Sequence, residues 1–419
     1  MSQFKYQSHH GMVDILPEEA YKWVYLENLI RQTAQEFGFS EIRTPILEQT
    51  ELIARGIGAL TDIVSKEMFT FERGEDKYVL RPECTAPVAR AYVEHHLDQK
   101  GGVQKLFYIG PMFRAERPQK GRQRQFHQFG AELIGTDDPI ADVEIIRFMM
   151  RIYEKIGIKN ITLQLNSVGN PESRKAYKQA LLDYFRPMSS QLSEVSRDRL
   201  ENNPMRILDS KEPEDRPLVD KAPRISDFLS EECRSHFQTV KAYLDDLNIT
   251  YTENPLLVRG LDYYTRTAFE LTSPDLGSQD ALGGGGRYDL LIEEIGGKPS
   301  PAVGFASGME RLMIACEALN LPLGTPEHPQ VYIITRGDEA RKWAVTAANK
   351  LRIAGASVTM DYASRSIKAQ MKDANRQQAT YALIVGDSEL ESRMFTLRNM
   401  SESTEESLSF ESIIEHLTK

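Results

Sequence analysis

The feature that most constrains the fold is a pair of apolar segments that flank a strongly charged one. The segments LFYIGPMFRAE (106–116) and FHQFGAELIG (126–135) have the composition of β-strands. Around the stretch between them, five positive side chains fall within eleven residues: Arg114, Arg117, Lys120, Arg122 and Arg124. Two strands joined by a short polar stretch usually pair with each other, so we predict a long β-hairpin with a charged tip.

The chain as a whole is acidic, which makes this concentration of positive charge local. Its 419 residues carry a formal net charge of -10, and 41% of them are hydrophobic. That composition is typical of a globular protein of two or three domains. It argues against a protein with a mostly basic surface that binds nucleic acid nonspecifically. Taken alone, the charged tip has the ordinary interpretation of a solvated loop.

Cysteine and histidine usage gives no sign of a disulfide framework or of a metal site in the protein. Cys84, Cys233 and Cys316 are far apart, and no CxxC pair occurs. His9 and His10 lack a third ligand at useful spacing. The N-terminal segment has no apolar core of a secretory signal, and no run of 18 uncharged apolar residues occurs. We therefore expect a cytoplasmic protein with no membrane span.

Hydrophobic periodicity predicts the other elements of the first three hundred residues. Apolar residues recur at three- and four-residue spacing over 18–37, which predicts a helix. Pro45 predicts an extended conformation for 39–48, because proline is incompatible with a helix interior. The remaining predicted elements are two strands around a turn at 73–76, a helix over 138–157, strand structure over 255–272 and a helix after Ser307.

Changes in composition predict how the chain is divided. Residues 171–250 are rich in charged residues and serine and poor in β-branched residues, which predicts a helical insertion. The prolines of 321–330 indicate a linker. Strand and helix signals alternate after it, as in a small α/β domain. We predict one domain over 1–325, which includes the insertion, and a second over 327–419.

Four stretches concentrate residues that are suited to chemistry, and each also has a purely structural interpretation. They are LRPECTAP (80–87) with Glu83 and Thr85, the charged hairpin, LVRGLDYYTRTAFE (257–270) with Arg259, Tyr263 and Tyr264, and GFASGMERL (304–312) with Arg311. An acidic residue and a threonine after a strand are usually a helix cap. One of two adjacent tyrosines on a strand usually lies in the core. An arginine early in a helix is often a surface residue.

The joint pattern favours a nucleotide site. Arg114, Arg259 and Arg311 each stand at a strand end or helix start in separate segments, and guanidinium groups are preferred partners of phosphate oxygens. The ring of Phe126 offers a flat surface to a base. Acceptors for an amine are available on Glu83, Gln128 and Glu132. We predict a triphosphate nucleotide beside a small substrate that carries an amine.

The same segments resemble a known family. GPMFRAERPQKGRQRQFHQFGAE (110–132) closely resembles motif 2 of class II aminoacyl-tRNA synthetases in the histidyl form, and GFASGMERL resembles motif 3. The helix over 18–37 with the following EIRTPILE resembles motif 1. LVRGLDYY and GGGRYD (284–289) resemble the two histidine-specific segments of the histidyl-tRNA synthetase family. The resemblance extends from about His10 to the C terminus, with all five segments in the family's order.

The resemblance implies a fold, a reaction and partners. The fold would be α+β: an antiparallel sheet core flanked by helices, a helical insertion and a C-terminal α/β anticodon-binding domain. The reaction would join histidine and ATP into histidyl-adenylate with release of pyrophosphate, and then transfer histidine to the 3′ end of tRNA(His). Mg²⁺ would accompany the ATP phosphates. Motif 1 would form a homodimer interface.

The resemblance also implies roles for individual residues. Those for catalysis are Arg114, Arg259 and Arg311. Those for ATP are Arg114, Glu116, Phe126 and Arg311. Those for histidine are Glu83, Thr85, Gln128, Glu132, Arg259, Tyr263 and Tyr264. Those for tRNA are Lys120, Arg122 and Arg124.

Two alternatives share parts of this pattern. The regulatory subunit of ATP phosphoribosyltransferase has the same core but lacks catalytic residues and usually the C-terminal domain. Here Arg259, Tyr264 and Arg311 are present, together with a C-terminal domain. A pure RNA-binding module on the same fold would not need Glu83 and Gln128 beside Arg259.

Overall fold

Two units of different architecture make up the chain, Met1–Gly324 and Thr325–Lys419. The structure is a computed structural model. It describes residues 6–57, 63–119, 121–201, 203–208, 210, 212–276 and 280–418.

The first unit alternates short and long elements. Its strands are β1 (Ser40–Glu41), β2 (Leu47–Gln49), β3 (Phe69–Arg73), β4 (Asp76–Leu80), β5 (Gln104–Phe113), β6 (Gln125–Ile134), β7 (Thr162–Ser167), β8 (Tyr251–Glu253), β9 (Thr265–Thr272), β10 (Ala281–Arg287) and β11 (Ala302–Gly308). Its α-helices are α1 (Pro17–Glu36), α2 (Thr50–Ile57), α3 (Thr85–Glu94), α4 (Ile140–Ile156), α5 (Pro171–Phe185), α6 (Glu194–Leu200), α7 (Arg216–Val219), α8 (Glu231–Asp246), α9 (Leu291–Glu294) and α10 (Met309–Ala318).

Eight of these strands form the main sheet, in the order β1-β5-β6-β11-β10-β9-β7-β8. The run from β5 to β7 is antiparallel throughout. Strands β5 and β6 pair over ten residues each, which confirms the predicted hairpin. A separate three-stranded sheet has the order β2-β4-β3.

Different elements pack against the two faces of the main sheet. On one face, helices α1, α4, α8 and α10 bury a large apolar core that includes Leu26, Phe148, Val240 and Leu312. On the other face, a smaller cluster contains Val88 from α3 together with several tyrosines. The candidate site residues lie on this second face, which helices cover only in part.

The segment between β7 and β8 is helical, as its composition predicted. Helices α5 to α8 and short 3₁₀ turns form it, and its own core contains Tyr177, Leu181 and Phe185. Helix α5 begins after Asn170, whose side chain accepts a hydrogen bond from the amide of Ser173 at 2.9 Å. This cap satisfies one of the free amides of the first turn.

The second unit is an α/β domain. Its elements are β12 (Val331–Thr335), α11 (Asp338–Ile353), β13 (Val358–Met360), α12 (Ile367–Arg376), β14 (Tyr381–Val385), α13 (Asp387–Ser392), β15 (Phe395–Asn399), β16 (Glu405–Leu408) and α14 (Phe410–Thr418). The strand order is β13-β12-β14-β15-β16, with the first three strands parallel. The alternation predicted up to β14 is confirmed, and the α+β fold class is confirmed for the chain.

The prediction of strand structure over 255–272 is wrong in its first part: 255–264 is a loop, and strand β9 begins only at Thr265. The glycines 283–286 lie inside strand β10. A Cβ at Gly284 would lie 2.6 Å from the carbonyl oxygen of Phe269 and 2.8 Å from a guanidinium nitrogen of Arg259. Glycine is therefore used here for the close approach of neighbours rather than for a turn.

Within the described ranges, the helices of both units are too short or too polar to cross a lipid bilayer.

Candidate active site

Strand β6 carries three predicted site residues on one face. Successive residues of a strand point to opposite faces, so Phe126, Gln128 and Glu132 share one side. The residues between them, such as Phe129 and Ala131, belong to the large core on the opposite side. The alternation along β6 thus separates the core from the site.

Arg114 follows the end of β5, opposite the start of β6. Its Nε donates to the carbonyl of Pro82 at 2.9 Å, and its guanidinium lies 5.2 Å from the ring centroid of Phe126. Burial lowers the pKa of this guanidinium below its usual value. A buried cation of this kind is stabilised by an anionic ligand.

Glu83 is both a helix cap and a buried carboxylate. It accepts hydrogen bonds from the amides of Thr85 at 2.7 Å and Ala86 at 2.8 Å, in the first turn of α3. The structural interpretation of this segment is therefore confirmed. Burial raises the pKa of Glu83, although the two amide bonds act against that shift.

Glu132 lies at the bottom of the site with no exposed surface. Its two carboxyl oxygens accept from the hydroxyls of Thr85 at 2.7 Å and Tyr288 at 2.5 Å. Burial raises the pKa of Glu132 to about 8, against the effect of these two bonds. A Cβ at Gly304 would lie 1.7 Å from Glu132 Oε2, so the glycine makes room for the carboxyl group.

A cluster of three tyrosines surrounds this carboxyl group. The rings of Tyr263 and Tyr264 are 4.7 Å apart, and Tyr263 meets the ring of Tyr288 edge to face at 5.6 Å. Both Tyr263 and Tyr264 are buried in the same cluster, so the prediction that they face opposite sides of a strand is wrong. They precede strand β9 and are not constrained by its alternation. Sequence reasoning missed Tyr288, although it lies in the GGGRYD segment.

Arg259 lies in the loop before β9 and not at a strand end as predicted. Its Nη1 donates to Glu270 at 3.0 Å, and its guanidinium lies 5.7 Å from the ring centroid of Tyr264. Burial opposes the positive charge, but Tyr264 and Glu270 outweigh burial and raise the pKa of Arg259. Its buried Nε has no hydrogen-bond partner among the residues that the structure describes.

Arg311 is the third residue of α10, as its segment predicted. Its Nη1 donates to the carbonyl of Ala281 at 2.9 Å, which directs the side chain toward the start of β10. The preceding Glu310 accepts from the amide of His127 at 2.9 Å and so joins α10 to strand β6. Arg311 is therefore a half-buried residue of the site and not an ordinary helix-surface arginine.

The sheet brings seven of the predicted residues to one cleft of about 400 Å³. They are Arg114, Glu116, Arg122, Phe126, Gln128, Arg259 and Arg311. Glu83, Thr85, Glu132, Tyr263 and Tyr264 form the buried network described above and do not line the cleft. Gln128 Oε1 is buried and, within the described residues, accepts no hydrogen bond. It is an acceptor available to a ligand that carries a donor.

The hairpin tip differs in part from the prediction. Arg122 is exposed and pairs with Glu116 at 3.4 Å. Arg124 does not lie at the tip: it immediately precedes β6, its amide donates to the carbonyl of Gly11 at 2.7 Å, and its side chain lies against Gly11. Strand pairing extends to Gln125, so Arg124 lies where the loop joins strand β6. The prediction for Lys120 falls outside the described residues.

No group of three His, Cys, Asp or Glu side chains is arranged to hold a metal ion in the ranges described above. Glu67 and Glu116 both line the cleft. Mg²⁺ usually takes one or two carboxylates together with waters and phosphate oxygens. These residues are consistent with a magnesium ion that arrives with a nucleotide and does not need a cage of protein ligands.

Comparisons with known proteins point to one family. Residues 11–312 match the family model described as histidyl-tRNA synthetase, and residues 330–419 match the model described as anticodon binding domain. A histidine--tRNA ligase of Chloroherpeton thalassium is 51% identical over 409 residues, which cover 97% of this chain and 96% of that protein.

Two solved structures are similar to the chain. The apo histidyl-tRNA synthetase of S. aureus matches with a TM-score of 0.83 and 40% identity, over 99% of this chain and 100% of that chain. A Bacillus halodurans C protein described as ATP phosphoribosyltransferase regulatory subunit/histidyl-tRNA synthetase matches with a TM-score of 0.66 and 23% identity, over 92% and 99%. The second match shows a shared fold alone.

Proposed function

Because the chain belongs to the histidyl-tRNA synthetase family, we propose that its cleft holds ATP and that the buried network beside it holds histidine. The reaction of the chain is the ligation of histidine to tRNA, through histidyl-adenylate. The observation that supports the site assignment best is the convergence of Arg114, Arg259 and Arg311 on one cleft, next to the unpaired Gln128 Oε1.

The proposed arrangement addresses the main barrier of the first step. The histidine carboxylate attacks the α-phosphorus, both groups are negatively charged, and more charge develops on the non-bridging oxygens. Preorganised cations aimed at those oxygens each contribute about 3 kcal/mol to the transition state. Arg114 would bind the α-phosphate from one side. Arg259 would bind it from the other, close to the reacting carboxylate.

The rest of the cleft would bind the nucleotide. Phe126 would cover one face of adenine, while Arg311 would contact the other face and the phosphate tail. Glu116 would contact the adenine edge. Glu67, which also lines the cleft, would help to hold a magnesium ion that neutralises charge on the β- and γ-phosphates.

The buried network would recognise histidine by hydrogen bonding. The α-ammonium carries three donors, for which Glu83, Thr85 and Gln128 offer acceptors. Glu132 and Tyr264 would satisfy the two imidazole nitrogens, with Tyr263 packed beside them. An apolar amino acid would leave these buried groups unpaired, and such sites discriminate strongly.

The RNA would meet two regions of positive charge. We assign the acceptor end to Lys120, Arg122 and Arg124 of the hairpin, and the clasp of the acceptor arm to the helical insertion (171–250) of the catalytic domain (1–325). We assign the anticodon to the C-terminal domain (327–419). There, a cleft of about 550 Å³ is lined by four cationic side chains: Arg336, Arg341, Arg365 and Lys368.

The regulatory-subunit alternative is not supported. Identity to a histidine--tRNA ligase is 51% over nearly the whole chain, whereas identity to the structure described in part as a regulatory subunit is 23%.

We also propose a homodimer through motif 1. Three large apolar side chains of this region are exposed by 40% or more: Val24, Ile46 and Leu47. Contiguous exposed apolar groups mark protein interfaces, and Ile46 and Leu47 are adjacent in the chain. Sedimentation velocity should give about twice the mass of 47.6 kDa, and a monomer would contradict the proposal. We further propose a cytoplasmic location, since the three cysteines are free and buried, as is usual in reducing compartments.

The assay that tests the activation step is ATP–pyrophosphate exchange with each of the twenty amino acids. Histidine should stimulate exchange and the other nineteen should not. Folded protein that exchanges equally without histidine would contradict the proposed pocket.

A further inference from the structure

The loop that carries Arg259 is held by the helical insertion. It runs from Val258 to Tyr264, and none of its amides donates to another backbone group in the described part of the chain. Sheet pairing therefore does not fix its conformation. A catalytic guanidinium must be held within a fraction of an ångström of its working position, so something else must fix this loop.

Arginine side chains of the insertion contact the carbonyls of this loop. Arg174, in α5, donates through Nη1 to the carbonyl of Asp262 at 3.0 Å and to that of Tyr264 at 2.8 Å. Arg206 donates through Nη2 to the carbonyl of Gly260 at 2.9 Å. Three alternate carbonyls of the loop thus accept from guanidinium groups of the insertion.

The electrostatics of the loop agree with these contacts. Asp262 lies beside Arg174 and Arg206, and the charges of these two arginines act against the desolvation that raises the pKa of Asp262. Burial lowers the pKa of Arg174, and Asp262 acts against that shift. The two arginines therefore bind the loop through its backbone and also balance the one carboxylate within it.

The start of strand β9, directly after the loop, is also held by a residue of the insertion. Arg266 has a φ of 50°, an unfavourable value for a residue with a side chain. Its amide donates to the carbonyl of Gly169 at 2.9 Å, and its side chain pairs with Glu232 of α8. Such a conformation persists only where the surroundings enforce it.

We propose that Arg174 and Arg206 are positioning residues for histidine activation, and that the insertion thereby acts in the first step, before tRNA is bound. This inference rests on the proposed role of Arg259. Arg174 is the better residue to test, because it does not line the ATP cleft whereas Arg206 does.

The test is ATP–pyrophosphate exchange without tRNA, with histidine and ATP varied separately. Arg174→Ala removes two charged hydrogen bonds and should lower kcat/KM for histidine by about tenfold to a hundredfold. The KM for ATP should stay within about twofold, because the phosphate partners Arg114 and Arg311 are untouched. Arg174→Lys retains a donor. The decrease in log kcat/KM for histidine should therefore be smaller than in Arg174→Ala by at least about a third.

The matched control is Arg186→Ala, the same change at an exposed insertion arginine that pairs with Glu201. It should leave both parameters unchanged. Wild-type histidine kinetics in Arg174→Ala, or a rise in the KM for ATP as large as the loss in kcat/KM for histidine, would overturn the proposal. If Arg174→Ala does not fold, Arg174→Lys and Arg206→Ala carry the test, and unchanged histidine kinetics in both would overturn it.

Arg259→His, run in parallel, separates this inference from the proposed function. If Arg259→His is fully active, the role of Arg259 fails. If Arg259→His is impaired and the Arg174 variants are normal, only the positioning role fails.

Discussion

The cleft of the catalytic sheet and the cleft of the C-terminal unit both collect arginines, but they hold them differently. In the sheet, Arg114 and Arg311 are fixed by backbone carbonyls and Arg259 by a carboxylate. In the C-terminal unit, Arg365 pairs with Asp361 and Asp373, but Arg336 and Lys368 are exposed and form no ion pair with any residue that the structure describes. Fixed and partly buried charges can stabilise a transition state, whereas exposed charges without an ion pair contribute salt-dependent attraction. The comparison therefore predicts that exchange and tRNA binding are affected by separate sets of substitutions.

The largest expected effect is that of Arg259→His. It removes a preorganised cation beside the reacting carboxylate and should lower the rate of ATP–pyrophosphate exchange by at least about a hundredfold. Affinity for tRNA, measured by filter binding, should stay nearly intact. Arg151→His, at an exposed position of α4, is the control. Near-normal exchange in Arg259→His would remove the main distinction between the two clefts.

Glu132→Gln should have the next largest effect on activation. Loss of the hydrogen bond between the Glu132 carboxyl group and the imidazole should lower kcat/KM for histidine by about tenfold to a hundredfold. An unchanged kcat/KM would mean that Glu132 serves the fold and not the substrate.

The same variant has a second readout, in stability. The pKa of Glu132 is raised by burial from 4.5 to about 8, so the folded protein binds this proton more tightly than the unfolded chain. The stability that the proton contributes is complete below pH 4.5 and is lost as the pH rises to about 8. Glutamine does not titrate, so Tm of Glu132→Gln should rise relative to the wild type between pH 5 and pH 8. Glu293→Gln, at an exposed position, should show no such trend.

The sequence was informative where the contacts are local. Alternation along β6 was sufficient to put Phe126, Gln128 and Glu132 on one face, and the paired strands enclose the charged tip as predicted. It was uninformative where a conformation depends on distant partners. Gly284 lies in strand β10, where the carbonyl of Phe269 and the guanidinium of Arg259 occupy the space that a side chain would take.

The same limit explains why the composition of the Arg259 loop predicts a strand. Its residues have the apolar and aromatic composition of a strand, but its carbonyls are bonded by arginines from an insertion about 50 to 90 positions away. Neither Arg174 nor Arg206 belongs to a motif, so no local pattern identified them. Tyr288 could have been predicted as a site residue, because it directly follows the glycine-rich strand β10. Its hydroxyl donates a hydrogen bond to Glu132.

A smaller effect is expected at the hairpin. Arg122→Ala removes an exposed cation and should lower the rate of aminoacylation by about tenfold, with exchange reduced by less than about threefold. Arg124→Ala should affect aminoacylation less, because this side chain lies against Gly11 where the loop joins strand β6. If Arg122→Ala lowers the rates of aminoacylation and exchange equally, Arg122 contributes to ATP binding, since it also lines the cleft.

The smallest expected effect is in the C-terminal unit. Arg336→Ala combined with Lys368→Ala should raise the KM for tRNA by about threefold at physiological salt, because each residue neutralises one screened phosphate.

Salt dependence is the sharper readout: the slope of log affinity against log salt should decrease by about 0.7 for each phosphate that is no longer neutralised. Lys342→Ala combined with Lys372→Ala changes the net charge equally at exposed positions that do not line the cleft, and should leave the slope unchanged. If both pairs shift the slope alike, binding depends on the charge of the whole unit. If only the cleft pair does, these side chains bind the RNA backbone directly.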